Sequence, residues 1–520
     1  MNGAESLVQT MLASGVDTVF ANPGTSEMHF CAALDQYPEM NCVLCLFEGG
    51  TSAGADCYFR MKRDVAGTLL HLAPGFGNAY ANLHNARKAG SGLVNIVGDH
   101  ATHHLAYESP LKGDIQGVSQ SISHWYRWSP DAGSVAGDGA AAIRAARSLN
   151  GQIATLALPA NTAWEAARTP AGRGDPTGAE QPPALHRPET RAIEAAAQRL
   201  TLPGAALMIG GAALFGGLRQ LAGQICAATG ARLLIDTLIP RASRGAGTAT
   251  AAHLPYPVEP KLEALVNTRS ITLLGTQRPV TFFAYPGKPS LPEPANCEIA
   301  ELCRPEMDIA FALDALAQAT NATKAQPRVY PLDLPALPSG TLTLESAGAA
   351  LAHLLPEGAI VCNEAITSGF RFAPPLTQAR PHEMLGGTGG AIGWSLPGAV
   401  GAATACPDRK VVVLTGDGSA MYTIQSLWTM AREGLDVTVI VFANRGYQIL
   451  RDELQNVGVQ SYGANARAMF DVEGPSLDFV ALAKGHGVPA SRAETLEQYT
   501  SALQAALASD GPALIELVCD

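Results

Sequence analysis

The 520-residue chain is 47% hydrophobic, only 16% charged, and carries a net charge of -11. That composition fits a well-buried globular protein and excludes a disordered or fibrous one, and the acidic balance argues against nucleic acid or an anionic membrane as partner. The length predicts roughly two to four domains.

Met1 to Glu5 lacks a cationic leader followed by an apolar run, and no apolar run is long enough to span a bilayer. A cytoplasmic protein is expected. Ten cysteines are scattered along the chain. Cys42 and Cys45 have metal-like spacing, but they lie in an apolar strand-like run with no second ligand pair, so buried structural thiols are expected.

The first unit alternates strand-like and helix-like segments to about residue 165. Val16 to Phe20 reads as a strand, and Asn22-Pro23-Gly24-Thr25-Ser26-Glu27 as its end, a tight turn and a helix start that Thr25 or Ser26 could cap. The next strand, Val43 to Phe47, ends at Glu48. A carboxylate there is either a functional group or a neighbour of the helix dipole. His71 follows Thr68-Leu69-Leu70 at another strand end. It is either a satisfied structural histidine or a proton carrier near neutral pH. His100, His103 and His104 follow the strand Leu93 to Val97. Their spacing fits a metal site or the edge of an active site.

A polar, proline-rich link from Arg168 to Pro188 precedes a second α/β unit, which opens with helix Arg191 to Leu202 and strand Ala206 to Gly210. Its glycine pattern, Gly210 to Gly216, lacks the spacing of a dinucleotide fingerprint, which argues against a dehydrogenase. Pro327 to Gly340 is a further linker.

The third unit holds the most informative pair. The apolar run Val411 to Leu414 leads to Gly416-Asp417-Gly418-Ser419, and Val437 to Phe442 leads to Ala443-Asn444-Arg445-Gly446-Tyr447. Between them, Tyr422 to Arg432 reads as a helix. Asp417 and Asn444 therefore sit at the carboxyl ends of parallel strands, where open α/β sheets bind ligands. Their hard oxygens suit Mg²⁺, and the flanking glycines let a phosphate approach the backbone. The alternative is an ordinary βαβ unit whose Asp and Asn cap turns.

The stretch from Gly416 to Asn444 resembles the cofactor motif of thiamine-diphosphate enzymes. The resemblance implies Mg²⁺ held by Asp417, Asn444 and the carbonyl of Gly446, with Gly416, Gly418, Ser419 and Tyr447 beside the cofactor. Glu48, with Gly49, Ala53 and Ala55, resembles the glutamate that bonds N1' of the aminopyrimidine and promotes its imino tautomer. In Gly386 to Ala399, Ile392 matches the bulky residue that bends the cofactor, and the carbonyl of Gly390 the acceptor for its 4'-amino group. Thr367 and Ser368 match donors to the diphosphate.

Nearly the whole chain resembles benzoylformate decarboxylases, with acetolactate synthases as broader relatives. Asn22-Pro23-Gly24-Thr25 places Gly24 at the cofactor and Thr25 at the substrate, and His71-Leu72-Ala73-Pro74-Gly75-Phe76-Gly77-Asn78 makes His71 an active-site histidine. Asp478 to Val488 matches as well. The implied fold is α/β, a three-domain thiamine-diphosphate enzyme architecture. Each domain is an open, mostly parallel sheet flanked by helices: a pyrimidine-binding domain (1–165), a central domain (190–335), and a diphosphate- and Mg-binding domain (341–520). The resemblance also implies self-association into a dimer or tetramer, with the active site at the subunit interface.

There are departures. A second histidine expected in the middle domain is missing: Pro279 to Gly287 has Ala284 or a neighbour there, and its Phe282 and Phe283 favour an apolar substrate group. The Phe-Gln-Glu pattern of acetolactate synthases is absent near Pro110-Leu111-Lys112, and no flavin is expected. The expected activity is non-oxidative decarboxylation of a small 2-oxo acid to an aldehyde, with carboligation beside it. The alternatives are an acetolactate synthase-like carboligase and a non-catalytic relic that keeps the cofactor. Phe283, Tyr447 and Leu450 are expected to line the pocket, under a lid from Asp452 to Ala468.

Overall fold

The computed structural model describes residues 1–167 and 176–519, so the first part of the expected link after Arg168 lies outside the described residues. Among the described residues the strands gather into three sheets. The first contains β1 (Thr18–Asn22), β2 (Asn41–Leu44), β3 (Ala66–Leu70), β4 (Leu93–Asp99), β5 (Trp125–Trp128) and β6 (Ile153–Pro159), in the order β2-β1-β3-β4-β6-β5. All its pairings are parallel.

The chain continues with β7 (Ala205–Ile209), β8 (Arg232–Ile235), β9 (Arg241–Arg244), β10 (Ala252–His253), β11 (Ser270–Leu274) and β12 (Glu298–Cys303). Five of these form a parallel middle sheet, β10-β8-β7-β11-β12. β9 leaves it and pairs antiparallel with β14 (His382–Gly386) of the third sheet. That crossover has no signature in the sequence. The helix and strand expected to open this unit are Thr190–Leu200 and β7.

The third sheet contains β13 (Ile360–Glu364), β14, β15 (Val411–Gly416), β16 (Val437–Ala443), β17 (Ala490–Ala493) and β18 (Ala513–Val518). Without β9 its order is β14-β13-β15-β16-β18-β17, the same wiring as the first sheet. Parallel strands covered by helices on both faces read as continuous apolar runs. Val411 to Leu414 is such a run: Val411 and Val413 enter one buried cluster, Val412 and Leu414 the other. That is the two-residue alternation of a strand.

The first and third units share a core. One apolar cluster runs from Phe20, Val43 and Leu70 through Ala55 and Cys57 to Trp394, Ala399 and Val411. Helix Glu48–Lys62 packs against helix Ser395–Ala405 so closely that a Cβ on Gly401 would lie 1.9 Å from the carbonyl oxygen of Gly54. Buried Arg60 fastens the same contact, donating to the carbonyl of Gly386 at 2.8 Å. Among the described residues, no helix is long and apolar enough to cross a membrane.

Several local expectations need correction. The helix expected from Tyr422 begins only at Ser426, after a one-turn helix Asp417–Ala420, because residues 421–425 turn to let the Thr423 hydroxyl reach the carbonyl of Gly393 at 2.8 Å. Neither Thr25 nor Ser26 caps the helix after β1: Glu27 accepts the Gly24 N–H at 2.8 Å instead. Cys42 is exposed, not buried, because β2 is an edge strand; Cys45 is buried. The stretch from Asp452 to Ala468 overlaps two helices, Gln448–Asn456 and Ala464–Phe470, which leaves the expectation of a lid untouched.

Candidate active site

β15 and β16 are neighbours, with Gly416 opposite Phe442, so Asp417 and Asn444 leave adjacent strand ends at the same level. Asp417 is 3% exposed. Its Oδ1 accepts the Gly418 N–H at 2.7 Å and its Oδ2 the Arg445 N–H at 2.6 Å. Burial pushes its pKa up against those bonds. The Asn444 side-chain oxygen accepts the Gly446 N–H at 3.3 Å. Gly446 is buried and bridges to Asp471, and the Tyr447 N–H donates to the Phe470 carbonyl at 2.8 Å. The Tyr447 ring lies over Gly418, where any Cβ would come within 2.4 Å of it. Ser419 is buried beside them.

These residues fit a divalent cation. Asp417 is a buried carboxylate whose partners are backbone N–H groups, and no salt bridge reaches it among the described residues. A buried charge left in that state is costly unless a cation neutralises it. Carboxylate, amide and carbonyl oxygens suit Mg²⁺ and leave positions for phosphate and water.

The glycine-rich segment between β14 and helix Ser395–Ala405 is anchored from two sides. From helix Leu72–Ala89, the Asn85 side-chain oxygen accepts the N–H groups of Gly389 at 3.1 Å and Ala391 at 3.3 Å, while its amide donates to the Ala391 carbonyl at 2.9 Å. From the end of β13, Glu364 accepts the N–H groups of Gly393 at 2.8 Å, Trp394 at 3.2 Å and Ser395 at 3.2 Å, and the Ser395 hydroxyl at 2.7 Å. Half-buried Ile392 is thus fixed at both chain neighbours. Burial raises the Glu364 pKa to about 7, against the pull of those four bonds. Glu364 was legible only as part of a strand-end turn; its partners lie far along the chain.

Gly390 is exposed with φ +78°, and a Cβ on it would sit 3.2 Å from the tip of the Phe282 ring. Phe282 also packs on Phe283 and Tyr256. The phenols of Tyr256 and Tyr285 both donate to Glu453, at 3.1 and 2.7 Å, tying this aromatic segment to helix Gln448–Asn456. Leu450 of that helix is 40% exposed. Thr367 and Ser368 lie in the short helix Ile366–Phe372 directly after β13, Ser368 buried and Thr367 half-buried.

The first sheet presents a second group of residues. Glu48 opens helix Glu48–Lys62, is 9% exposed, and accepts the Asn78 amide at 2.9 Å. His71 stands just before helix Leu72–Ala89. The two converge on Gly75, where a Cβ would meet Glu48 Oε1 at 2.8 Å and the His71 Cβ at 3.3 Å. Thr25 is exposed in the turn after β1, and Gly24 packs against the His71 ring. The partner that sequence reading missed is Glu27, whose carboxylate lies 2.8 Å from His71 Nδ1. It stood in the quoted Gly24–Glu27 turn, but nothing in that spacing ties it to residue 71. His100, His103 and His104 do not gather as metal ligands: among the described residues, no group of three His, Cys, Asp or Glu could hold an ion. Ser109 bonds His100 Nε2 at 2.8 Å instead.

Within one chain, no hydrogen bond or ion pair among the described residues links Glu48 or His71 to Asp417 or Asn444. A cleft of about 900 Å³ between the first and middle units reaches Gly389 and Phe282, and none of those four residues lines it.

Residues 1–123 match the family model for the thiamine pyrophosphate enzyme N-terminal TPP-binding domain, and residues 368–517 that for the C-terminal TPP-binding domain. A Mycobacterium tuberculosis protein provisionally named acetolactate synthase large subunit IlvX is 45% identical over 100% of this chain and 99% of its own length. Benzoylformate decarboxylase of Pseudomonas aeruginosa is 28% identical, covering 97% of this chain and 96% of that protein. The structure of a thiamine diphosphate-dependent 4-hydroxybenzoylformate decarboxylase from Rhodococcus jostii RHA1 superposes with a TM-score of 0.86 at 24% identity, covering 100% of this chain and 99% of that one, a likeness of fold. The chain belongs to the thiamine-diphosphate-dependent decarboxylase/carboligase family, an enzyme whose cofactor is thiamine diphosphate with Mg²⁺.

Proposed function

We propose that this enzyme decarboxylates a small 2-oxo acid with an apolar or aromatic side group, releasing an aldehyde and joining some of the product to a second carbonyl. The observation that carries the preference is the packing of Phe282 at Gly390. This puts an aromatic wall beside the residue assigned to the cofactor's amino group, and such walls select apolar groups.

Asp417, Asn444 and the Gly446 carbonyl would hold Mg²⁺, and Gly416, Gly418, Ser419, Thr367 and Ser368 would surround the diphosphate. Tyr447, Gly24, Gly390 and Ile392 would shape the rest of the cradle. Bound thiamine diphosphate supplies the electron sink through which a 2-oxo acid loses CO₂. Glu48, mostly buried, would be the residue that holds or releases one proton at the pyrimidine. His71 carries a proton to and from the substrate, and Thr25 contacts it.

The cofactor cleft is assigned to two subunits, Glu48 and His71 from one and the Asp417 pair from the other. The lack of any hydrogen bond or ion pair between the two groups within a chain, among the described residues, supports this. So does the exposure of Phe283, Tyr422 and Leu450 in a single chain. A dimer is then the smallest active unit, and a tetramer is common in such arrangements.

The second reading is carboligation as the main activity. The 45% identity to the acetolactate synthase-named relative favours it. So does the lack of histidine in Pro279 to Gly287, which removes the second proton relay that the resemblance implied. The test is CO₂ release from benzoylformate, longer aliphatic 2-oxo acids and pyruvate, with product analysis. Aldehyde from the larger acids supports decarboxylation. Efficient acetolactate from pyruvate, with the larger acids inert, replaces it with the second reading.

A further inference from the structure

We infer that Glu27 is the positioning residue for His71: its buried carboxylate holds Nδ1 as the donating nitrogen and leaves Nε2 to carry the proton of the reaction. The inference rests on the decarboxylase reading for what Nε2 acts upon.

The Glu27 side chain is 2% exposed and His71 is 21% exposed, with 2.8 Å between Oε2 and Nδ1. Glu27 Oε2 also accepts the Gly24 N–H at 2.8 Å, and Oε1 accepts the Ser26 hydroxyl at 2.7 Å. The chain clears space for this pair. A Cβ on Gly24 would lie 2.1 Å from His71 Nδ1, and one on Gly98 would lie 1.6 Å from Glu27 Oε1.

A glutamine could make the same three bonds, with its oxygen at the Oε2 position and its amide turned to Ser26. Geometry alone therefore does not call for a charge. A buried carboxylate is costly without a cationic partner, and among the described residues its ion-pair partner is His71. The arrangement follows the logic of a base held in one orientation by a third group. Other charges near the ring are placed differently. Glu48 lies across Gly75 and bonds Asn78. Asp99, next to Gly98, accepts from Trp128 at 3.0 Å and from the His100 N–H at 2.8 Å.

The proton balance is simple. The 2-oxo acid anion plus one proton gives aldehyde plus CO₂. The proton leaves Nε2 for the reacting carbon, Nδ1–H stays on Glu27, and water reprotonates Nε2.

The experiment uses full-length holoenzyme with thiamine diphosphate and Mg²⁺. In Glu27→Gln, cofactor affinity and the Nδ1–H tautomer, read by ¹⁵N NMR of the imidazole, should be retained. Turnover should fall about tenfold. In Glu27→Ala the loss should reach about a hundredfold, with mixed tautomers. Adding Glu27→Gln to His71→Asn should cost nothing further, since the two act as a unit. A native tautomer kept in full by Glu27→Ala, or a loss in Glu27→Gln that multiplies independently with that of His71→Asn, overturns the inference. If the native enzyme releases no CO₂ from any 2-oxo acid, the decarboxylase reading fails separately. The tautomer measurement then still decides: Nε2–H as the main form in the native protein overturns the inference.

Discussion

Ser395 is bonded twice to Glu364, through its N–H at 3.2 Å and its hydroxyl at 2.7 Å, both to the same carboxylate oxygen. With the Gly393 and Trp394 N–H groups on the other oxygen, Glu364 closes the amino end of helix Ser395–Ala405 and so fixes the loop that carries Ile392. Free N–H groups at a helix start need such a partner.

That bond set carries a pH prediction. Burial raises the Glu364 pKa from 4.5 to about 7. The folded protein thus holds the proton more tightly than the unfolded chain. The stabilisation is full below about pH 4.5 and is lost as pH rises through about 7. Glu364→Gln should cost about 1–3 kcal/mol, because its amide turns donors against donors. Urea midpoints from pH 4.5 to 8, with Glu364's contribution taken as the difference between native and variant, are the check. Equal pH slopes in the two proteins would refute it.

Glu48→Gln should keep the fold and cofactor binding while slowing cofactor C2 proton exchange about 10²- to 10⁴-fold. Exchange followed by NMR in deuterated water, beside calorimetric cofactor affinity, separates the two effects. Near-native exchange would remove Glu48 from its assigned role.

Asp417→Ala should abolish Mg²⁺-dependent retention of thiamine diphosphate, since the carboxylate is the only anionic donor of the proposed set. The same change removes the acceptor for the Arg445 N–H that ties the two strand-end loops. Calorimetry with Mg²⁺ and cofactor, set against an unchanged circular dichroism spectrum, is the measurement. Undiminished affinity would mean that the metal sits elsewhere.

Phe282→Ala should lower kcat/KM for aromatic 2-oxo acids about 10-fold or more, and change pyruvate less, because a lost apolar contact acts through differential transition-state binding. Phe282 is 37% exposed in the single chain, so the fold should tolerate the change. Equal losses for both substrates would show that the residue supports the loop without selecting the substrate.

The sequence by itself determined that Asp417 and Asn444 follow neighbouring strands, and the strand–loop–helix–strand frame around them. Val411 to Leu414 and Val437 to Phe442 are buried on both faces, and such strands print as apolar runs, here interrupted only by Thr438, whose polar ends stand out. Glu48 and His71 were legible because each stands after a strand of the first sheet, β2 at its edge and β3 in its interior. Tertiary structure alone decided what those groups touch. Glu27 reaches His71 across 44 residues, and Glu364 reaches Gly393 across 29. No local period encodes such separations, because they follow from which strands lie side by side. β9 joined the third sheet on the same terms, its register set by β14 and not by its own short sequence. Cys42 is exposed for a related reason: being an edge strand is a property of the sheet, and it cannot be read from the residues of β2.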